Sequence, residues 1–147
     1  MSVEVHVVTP EREVWVGDAD SVVARGVDGE VGILAGHAPM MVQLAVGPLR
    51  VQRPEEPELV AVVDGGFMHV TSAADTDGDG KRGETRVDVL ASHAELAADV
   101  DADAARSRLA ELEERLAQPD GAERPESETL AIKREVAKAR ARVDIAG

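Results

Sequence analysis

A chain of 147 residues and 15.5 kDa has the length of one principal domain with at most a small appendage, enough to bury roughly two thirds of its unfolded surface in a real core. Its 16 basic and 29 acidic side chains leave a formal charge of -13, the wrong sign for a partner of nucleic acid. One Trp, one Phe and no Tyr leave base or sugar stacking almost nothing to work with and require a core of Val, Leu, Ile, Ala and Met.

The first residues, Met1 to His6, lack a basic region followed by an apolar stretch, and no apolar run approaches the roughly 18 residues of a membrane span. With no Cys there is no disulfide or catalytic thiol. A soluble, intracellular protein without direct membrane insertion is expected.

Val3, Val5 and Val7 alternate with Glu4 and His6, Leu49 and Val51 with Arg50 and Gln52, and Val87 and Val89 with Arg86 and Asp88. Alternation at period two predicts half-buried strands. Short β-branched runs at 20–25, 31–34, 41–46, 59–63 and 67–71 add further strands. Between them stand Gly17-Asp18, Asp28-Gly29, Gly47-Pro48, Pro54 to Pro57 and Asp64-Gly65-Gly66. Short strands punctuated this often predict an all-β sandwich of about eight to ten strands over residues 1–96.

After Leu96 the period changes. Ala105, Leu109, Leu112 and Leu116 fall at steps of 4, 3 and 4, one apolar stripe on a helix over about 101–117. Asp99, Asp101 and Asp103 crowd its start, where carboxylates meet free N–H groups and the positive end of the macrodipole. The segment Gln118 to Pro125 stops it, and Ile132, Val136, Ala139 and Val143 mark a second helix over about 126–144. Glu126 and Glu128 sit in its first turn, with Lys138, Arg140 and Arg142 towards its end. Residues 97–147 thus form an antiparallel two-helix hairpin.

Charge divides unevenly. Residues 1–96 hold 17 acidic and 7 basic side chains, net -10, and 97–147 hold 12 and 9, net -3. Lys133, Arg134, Lys138, Arg140 and Arg142 face one acid, Glu135, between residues 133 and 142. The second helix is a local positive stripe on a negative protein.

Motifs that would carry chemistry fail on context. Asp75-Thr76-Asp77-Gly78-Asp79-Gly80 opens like a calcium-binding loop, but its twelfth position is Arg86 rather than a bidentate Glu, and both flanks are strands. Gly78-Asp79-Gly80-Lys81-Arg82-Gly83 is a literal G-x-G-x-x-G that no helix follows. His6, His37, His69 and His93 include no pair at i, i+4, so no helical zinc site is predicted, and His6 and His69 read as ordinary strand residues. G-x-S-x-G is absent and spacing singles out no carboxylate pair, so no catalytic or metal residue is expected.

Three stretches together resemble the epsilon subunit of bacterial F-type ATP synthase: Val7-Val8-Thr9-Pro10-Glu11, then Gly29 through Pro39 (GEVGILAGHAP), then Gly65-Gly66-Phe67 with Val89-Leu90-Ala91 downstream. The resemblance covers nearly the whole chain. It implies a non-catalytic subunit of the proton-transporting complex: a central-stalk rotor part bound to the gamma subunit, seated on the c-ring and peripheral at the cytoplasmic face of the bacterial plasma membrane. It implies a c-ring contact at Gly29 and Glu30 and a gamma contact from His37 through Met40, Met41 and Val42, one methionine pointing inward and one outward.

The hairpin is then a regulatory element that lies folded or extends among the catalytic alpha and beta subunits, where it inhibits ATP hydrolysis. Lys133, Arg134, Lys138, Arg140 and Arg142 are positioned to meet an acidic segment of beta. Some members bind ATP at I/L-D-x-x-R-A. Here Val100-Asp101-Ala102-Asp103-Ala104-Ala105 puts Ala104 where the Arg belongs, with Arg106 and Arg108 out of register, so nucleotide binding through Asp101, Arg106 and Arg108 is disfavoured and no cofactor is expected. The stretch from about 74 to 85 is longer than the tight hairpin usual in the family. The alternative is a free-standing small-ligand or calcium-binding β-domain with a helical interaction hairpin, resting on Asp75 to Asp79.

Overall fold

The computed structural model describes residues 2–72, 85–117 and 124–146. Among them the chain forms ten strands, a short 3₁₀ turn and two α-helices, divided into two compact units, Met1–Leu96 and Ala97–Gly147.

The first unit is a sandwich of two five-stranded sheets. One takes β2 (Glu13–Ala19), β1 (Val3–Val8), β9 (Thr85–Leu90), β8 (Phe67–Ser72) and β5 (Met40–Gln43) in that spatial order. The other takes β10 (His93–Leu96), β7 (Leu59–Asp64), β6 (Gly47–Gln52), β3 (Ser21–Gly26) and β4 (Gly29–Leu34). Every pairing is antiparallel except β1 with β9. The alternation does what it predicts: Val3, Val5, Val7, Val87 and Val89 are fully buried between the sheets, while Glu4, His6 and Arg86 take the outer face. Ile33, Leu49, Val51, Met68 and Val70 complete an aliphatic interior, each side chain stabilising the fold by about 1.5–3 kcal/mol.

Two strands carry no alternation in sequence. β2 and β10 lie at sheet edges, and β2 buries only Ala19 fully. An edge strand with one half-covered face gives no clean period-two signal. Trp15 on β2 lays its indole over Gly17, where an added Cβ would come within 2.6 Å of the ring.

The second unit opens with the turn Ala97–Asp99 and continues into α1 (Ala102–Ala117) and α2 (Glu126–Ala146). Asp101 caps α1: its carboxylate accepts the Ala104 N–H at 3.0 Å and its carbonyl accepts that of Ala105 at 2.9 Å. The two helices meet along a thin seam in which Leu112, Ile132, Val136 and Ala139 are buried, with Leu109 and Leu116 packed against them. The charge polarity expected of the second helix is corrected. It runs past residue 144, so its last turn holds Asp144 and no cation, and Lys138, Arg140 and Arg142 lie too far upstream to meet its terminal carbonyls.

Candidate interaction surfaces

Two surfaces of the sandwich stand out, and a tight turn builds the first. β3 passes into β4 at Val27-Asp28, and Gly29 takes φ +134°, a region L side chains rarely enter. Glu30, the next residue, is exposed. Gly26 is packed against β5, where a Cβ would lie 2.9 Å from the Val42 side chain and 3.0 Å from the Gly29 carbonyl. Backbone bonds from Val27 N–H to the Gln43 carbonyl and from Ala45 N–H to the Arg25 carbonyl, both 3.0 Å, tie the two sheets together at this corner. Between turn and strand lies a cleft of about 310 Å³ lined by Gly29, Glu30, Met40, Met41 and Val42 among others. Residues assigned in sequence to two different partners thus border one cleft. Met40 packs against the core and Met41 is 62% exposed.

His37 does not line this cleft. It sits on the connection before β5, its N–H bonded to the Leu34 carbonyl at 3.1 Å and its Nδ1 donating to the Ala38 carbonyl at 2.7 Å. The buried Thr85 hydroxyl fixes that connection by accepting the Gly36 N–H at 2.7 Å.

The second surface is one that sequence reasoning missed. On the outer face of the β2-β1-β9-β8-β5 sheet, Val8 is the register partner of Leu90, and Leu90 of Phe67. The three make an apolar row across the central strands. Phe67 is 47% and Leu90 52% exposed, and with Pro10 and Ala91 they line an apolar groove of about 440 Å³. An exposed apolar row of this kind is a candidate interaction surface. The signal was available: both residues fall on the solvent side of alternating strands, where large apolar groups have no core to enter.

Next to this row the same face is charged. Register places Val16, His6, Asp88, His69 and Met41 in one line across the five strands, and Asp18, Glu4, Arg86 and Thr71 in the next. His6 Nε2 donates to Glu4 at 2.9 Å, and Arg86 forks onto Asp88 with three bonds of 3.0–3.1 Å. That hydrogen bonding, then the charge of Asp88 and lastly that of Glu4, pushes the Arg86 guanidinium above its ordinary value.

On the hairpin, helical geometry divides the five cations. Arg134, Lys138 and Arg142 at i, i+4, i+8 share one row, and Lys133 and Arg140 at i, i+7 share another. Arg140 reaches across to α1, where its Nη2 meets Glu113 Oε1 at 2.7 Å. Arg140 therefore helps to hold the two helices together. The nucleotide candidates are not brought together: Asp101 caps α1, Arg106 pairs with Asp103, and Arg108 lies 3.7 Å from Glu111. Among the described residues no group of three or more His, Asp or Glu is arranged to hold a metal. Residues Asp75 to Gly83, with both loop motifs, lie outside the described residues, and Arg86, the loop's twelfth position, is a residue of β9.

A sandwich with an open corner and an exposed apolar face, followed by a thinly packed helical hairpin, defines a protein that works through partner surfaces. Residues 2–74 match the family described as ATP synthase, Delta/Epsilon chain, beta-sandwich domain. The ATP synthase epsilon chain of Halalkalibacterium halodurans is 36% identical over 149 residues, covering 99% of this chain and 98% of its own. That of Thermobifida fusca is 44% identical over 107 residues, 71% of this chain and 70% of its own. The chain belongs to the ATP synthase epsilon chain family. In fold it is similar to a chain of the Euglena gracilis mitochondrial ATP synthase structure that comprises OSCP, F1 and c-ring, with TM-score 0.74 and 23% identity over 95% of this chain and 78% of that one.

Proposed function

We propose that the chain is the epsilon subunit of a proton-translocating F-type ATP synthase, a non-catalytic rotor part of the central stalk. Its sandwich ties the gamma subunit to the c-ring, and its hairpin acts as a brake on ATP hydrolysis at the alpha and beta subunits. The observation that carries this reading is the shared cleft: the turn of Gly29 and Glu30 and the strand of Met40, Met41 and Val42 border it together. One small corner can then meet two partners at once. The apolar row of Val8, Leu90 and Phe67 on the same sheet as Met41 extends the gamma-facing side.

The subunit takes no cofactor in this reading, in which Ala104 stands where a nucleotide-binding Arg would be. None of the described helices is long and apolar enough to cross a membrane, which fits a peripheral position at the cytoplasmic face of the bacterial plasma membrane. Tagged full-length chain purified from its own cells should carry gamma and the membrane sector with it. Met41→Glu together with Leu90→Glu should release gamma while the sandwich stays folded. Retention of gamma by that variant would sink the assignment of the face.

A further inference from the structure

His6, Asp88 and His69 stand side by side on three neighbouring strands, which lie about 4.7–4.9 Å apart. A carboxylate flanked by two imidazoles on an open sheet face serves no need of the core, because all three side chains point away from it. The groups around them are fixed by register. His6 faces Glu4 on its own strand, Val16 on β2 and Asp88 on β9. His69 faces Asp88 on β9, Met41 on β5 and Thr71 on its own strand. Arg86 closes onto Asp88, and Asp18 stands across from Glu4.

With both imidazoles neutral, this patch holds three carboxylates, Glu4, Asp18 and Asp88, against one guanidinium, Arg86. With both protonated its charges cancel, leaving Glu13 of β2, the register partner of Val8, as the carboxylate at its edge. Imidazole is the side chain whose charge changes between about pH 5 and 8. The patch borders the apolar row of Val8, Leu90 and Phe67, so a partner covering the row also takes the patch out of water. Burying uncompensated charge is costly, and burying a balanced hydrogen-bonded set costs much less.

We propose that the row His6, Asp88, His69 makes docking on this sheet face proton-coupled, so that the stalk partner is held more tightly as pH falls. The proposal rests on the reading of this face as the gamma-docking surface. Proton uptake on docking is the physical content: each unit by which docking raises an imidazole's proton affinity is a factor of about ten in Kd across its titration.

The test titrates the full chain onto its cognate complex of alpha, beta and gamma subunits at pH 6, 7 and 8, in buffers of equal ionic strength. The wild type should bind about three- to tenfold more tightly at pH 6 than at pH 8. His6→Asn with His69→Asn should flatten the profile, and Asp88→Asn should reduce the slope. A circular-dichroism melt of each variant separates loss of fold from loss of coupling. Binding that is independent of pH, or a pH dependence that survives in the double variant, would overturn the coupling and leave the docking surface standing. Absence of binding at every pH, or binding unaffected by Leu90→Glu, would overturn the docking surface itself.

Discussion

Replacing Gly66 by Ala puts a methyl group where the backbone leaves none. Gly66 has φ +98°, and its Cβ would lie 2.0 Å from the Leu90 carbonyl oxygen and 2.8 Å from Ala91 Cα. These are main-chain atoms of β9 and the residue after it, so no side chain can swing aside. Relief requires the end of β9 to retreat by more than an ångström. Such a shift works against the bonds from Leu44 N–H to the Gly66 carbonyl, 2.9 Å, and from Ala91 N–H to the Val8 carbonyl, 3.0 Å. Two backbone bonds at about 1 kcal/mol each and a positive φ at about 1–2 kcal/mol give a loss of about 3–4 kcal/mol. Gly65 is the internal control. Its φ is +69° but a Cβ there meets only Ser92 Oγ at 3.8 Å, so Gly65→Ala should cost about 1 kcal/mol. The single Trp, Trp15, reports from the sandwich, and urea unfolding followed by its fluorescence measures both variants. With an m-value of about 1–1.5 kcal/mol/M, Gly66→Ala should lower the midpoint by about 2–4 M and Gly65→Ala by about 1 M or less. Equal losses for the two would refute the argument from backbone contact.

The hairpin seam is thin enough for one residue to decide it. Leu112→Ala, at the fully buried centre, should cost about 3 kcal/mol and abolish most of the helical circular dichroism while Trp15 fluorescence still reports an intact sandwich; concerted loss of both signals would contradict this. Removing residues 97–147 should raise ATP hydrolysis by the assembled complex without preventing assembly, and unchanged hydrolysis removes the brake. Reversing Arg134, Lys138 and Arg142 should weaken inhibition at ordinary salt. Glu113→Gln, by releasing Arg140, should favour the opened hairpin by at most about fivefold and so strengthen inhibition. Inhibition that moves the same way in both variants would show that the rows do not differ.

Much of the fold is legible in the chain because two periods carry it. Val3, Val5 and Val7 announce a strand with one buried face, and Leu109, Leu112 and Leu116 announce a helix with one buried stripe. β2 and β10 escape because their own residues set no burial period: β2 buries only Ala19 fully and β10 buries no residue fully. The same limit governs the surfaces. Gly29, Glu30 and Met41 can be picked from a local pattern, but that they border one cleft depends on two sheets meeting at a corner. The row from Val8 through Leu90 to Phe67 joins residues up to 82 positions apart, and the line of His6, Asp88 and His69 joins strands that only the register brings side by side. Each of those residues reads as ordinary by itself; the adjacency creates the chemistry.

The two units also differ in how firmly they are built, and that difference bears on which can move. In the sandwich, both sheets contribute fully buried aliphatic side chains to one interior, and each strand is paired to at least one neighbour by its backbone. In the hairpin, two helices of 16 and 21 residues share, among the described residues, a seam of four buried side chains, one of them Ala. Helices of that length are marginal on propensity alone and draw most of their stability from packing. A seam this small supplies little of it, and the Arg140 bridge to Glu113 is an exposed pair worth at most about 1 kcal/mol. A rotor coupling needs a rigid body and a brake needs a loose one. The sequence assigns the valines to the first and the alanines to the second, so in the proposed reading any rearrangement falls to the hairpin and the sandwich keeps its register.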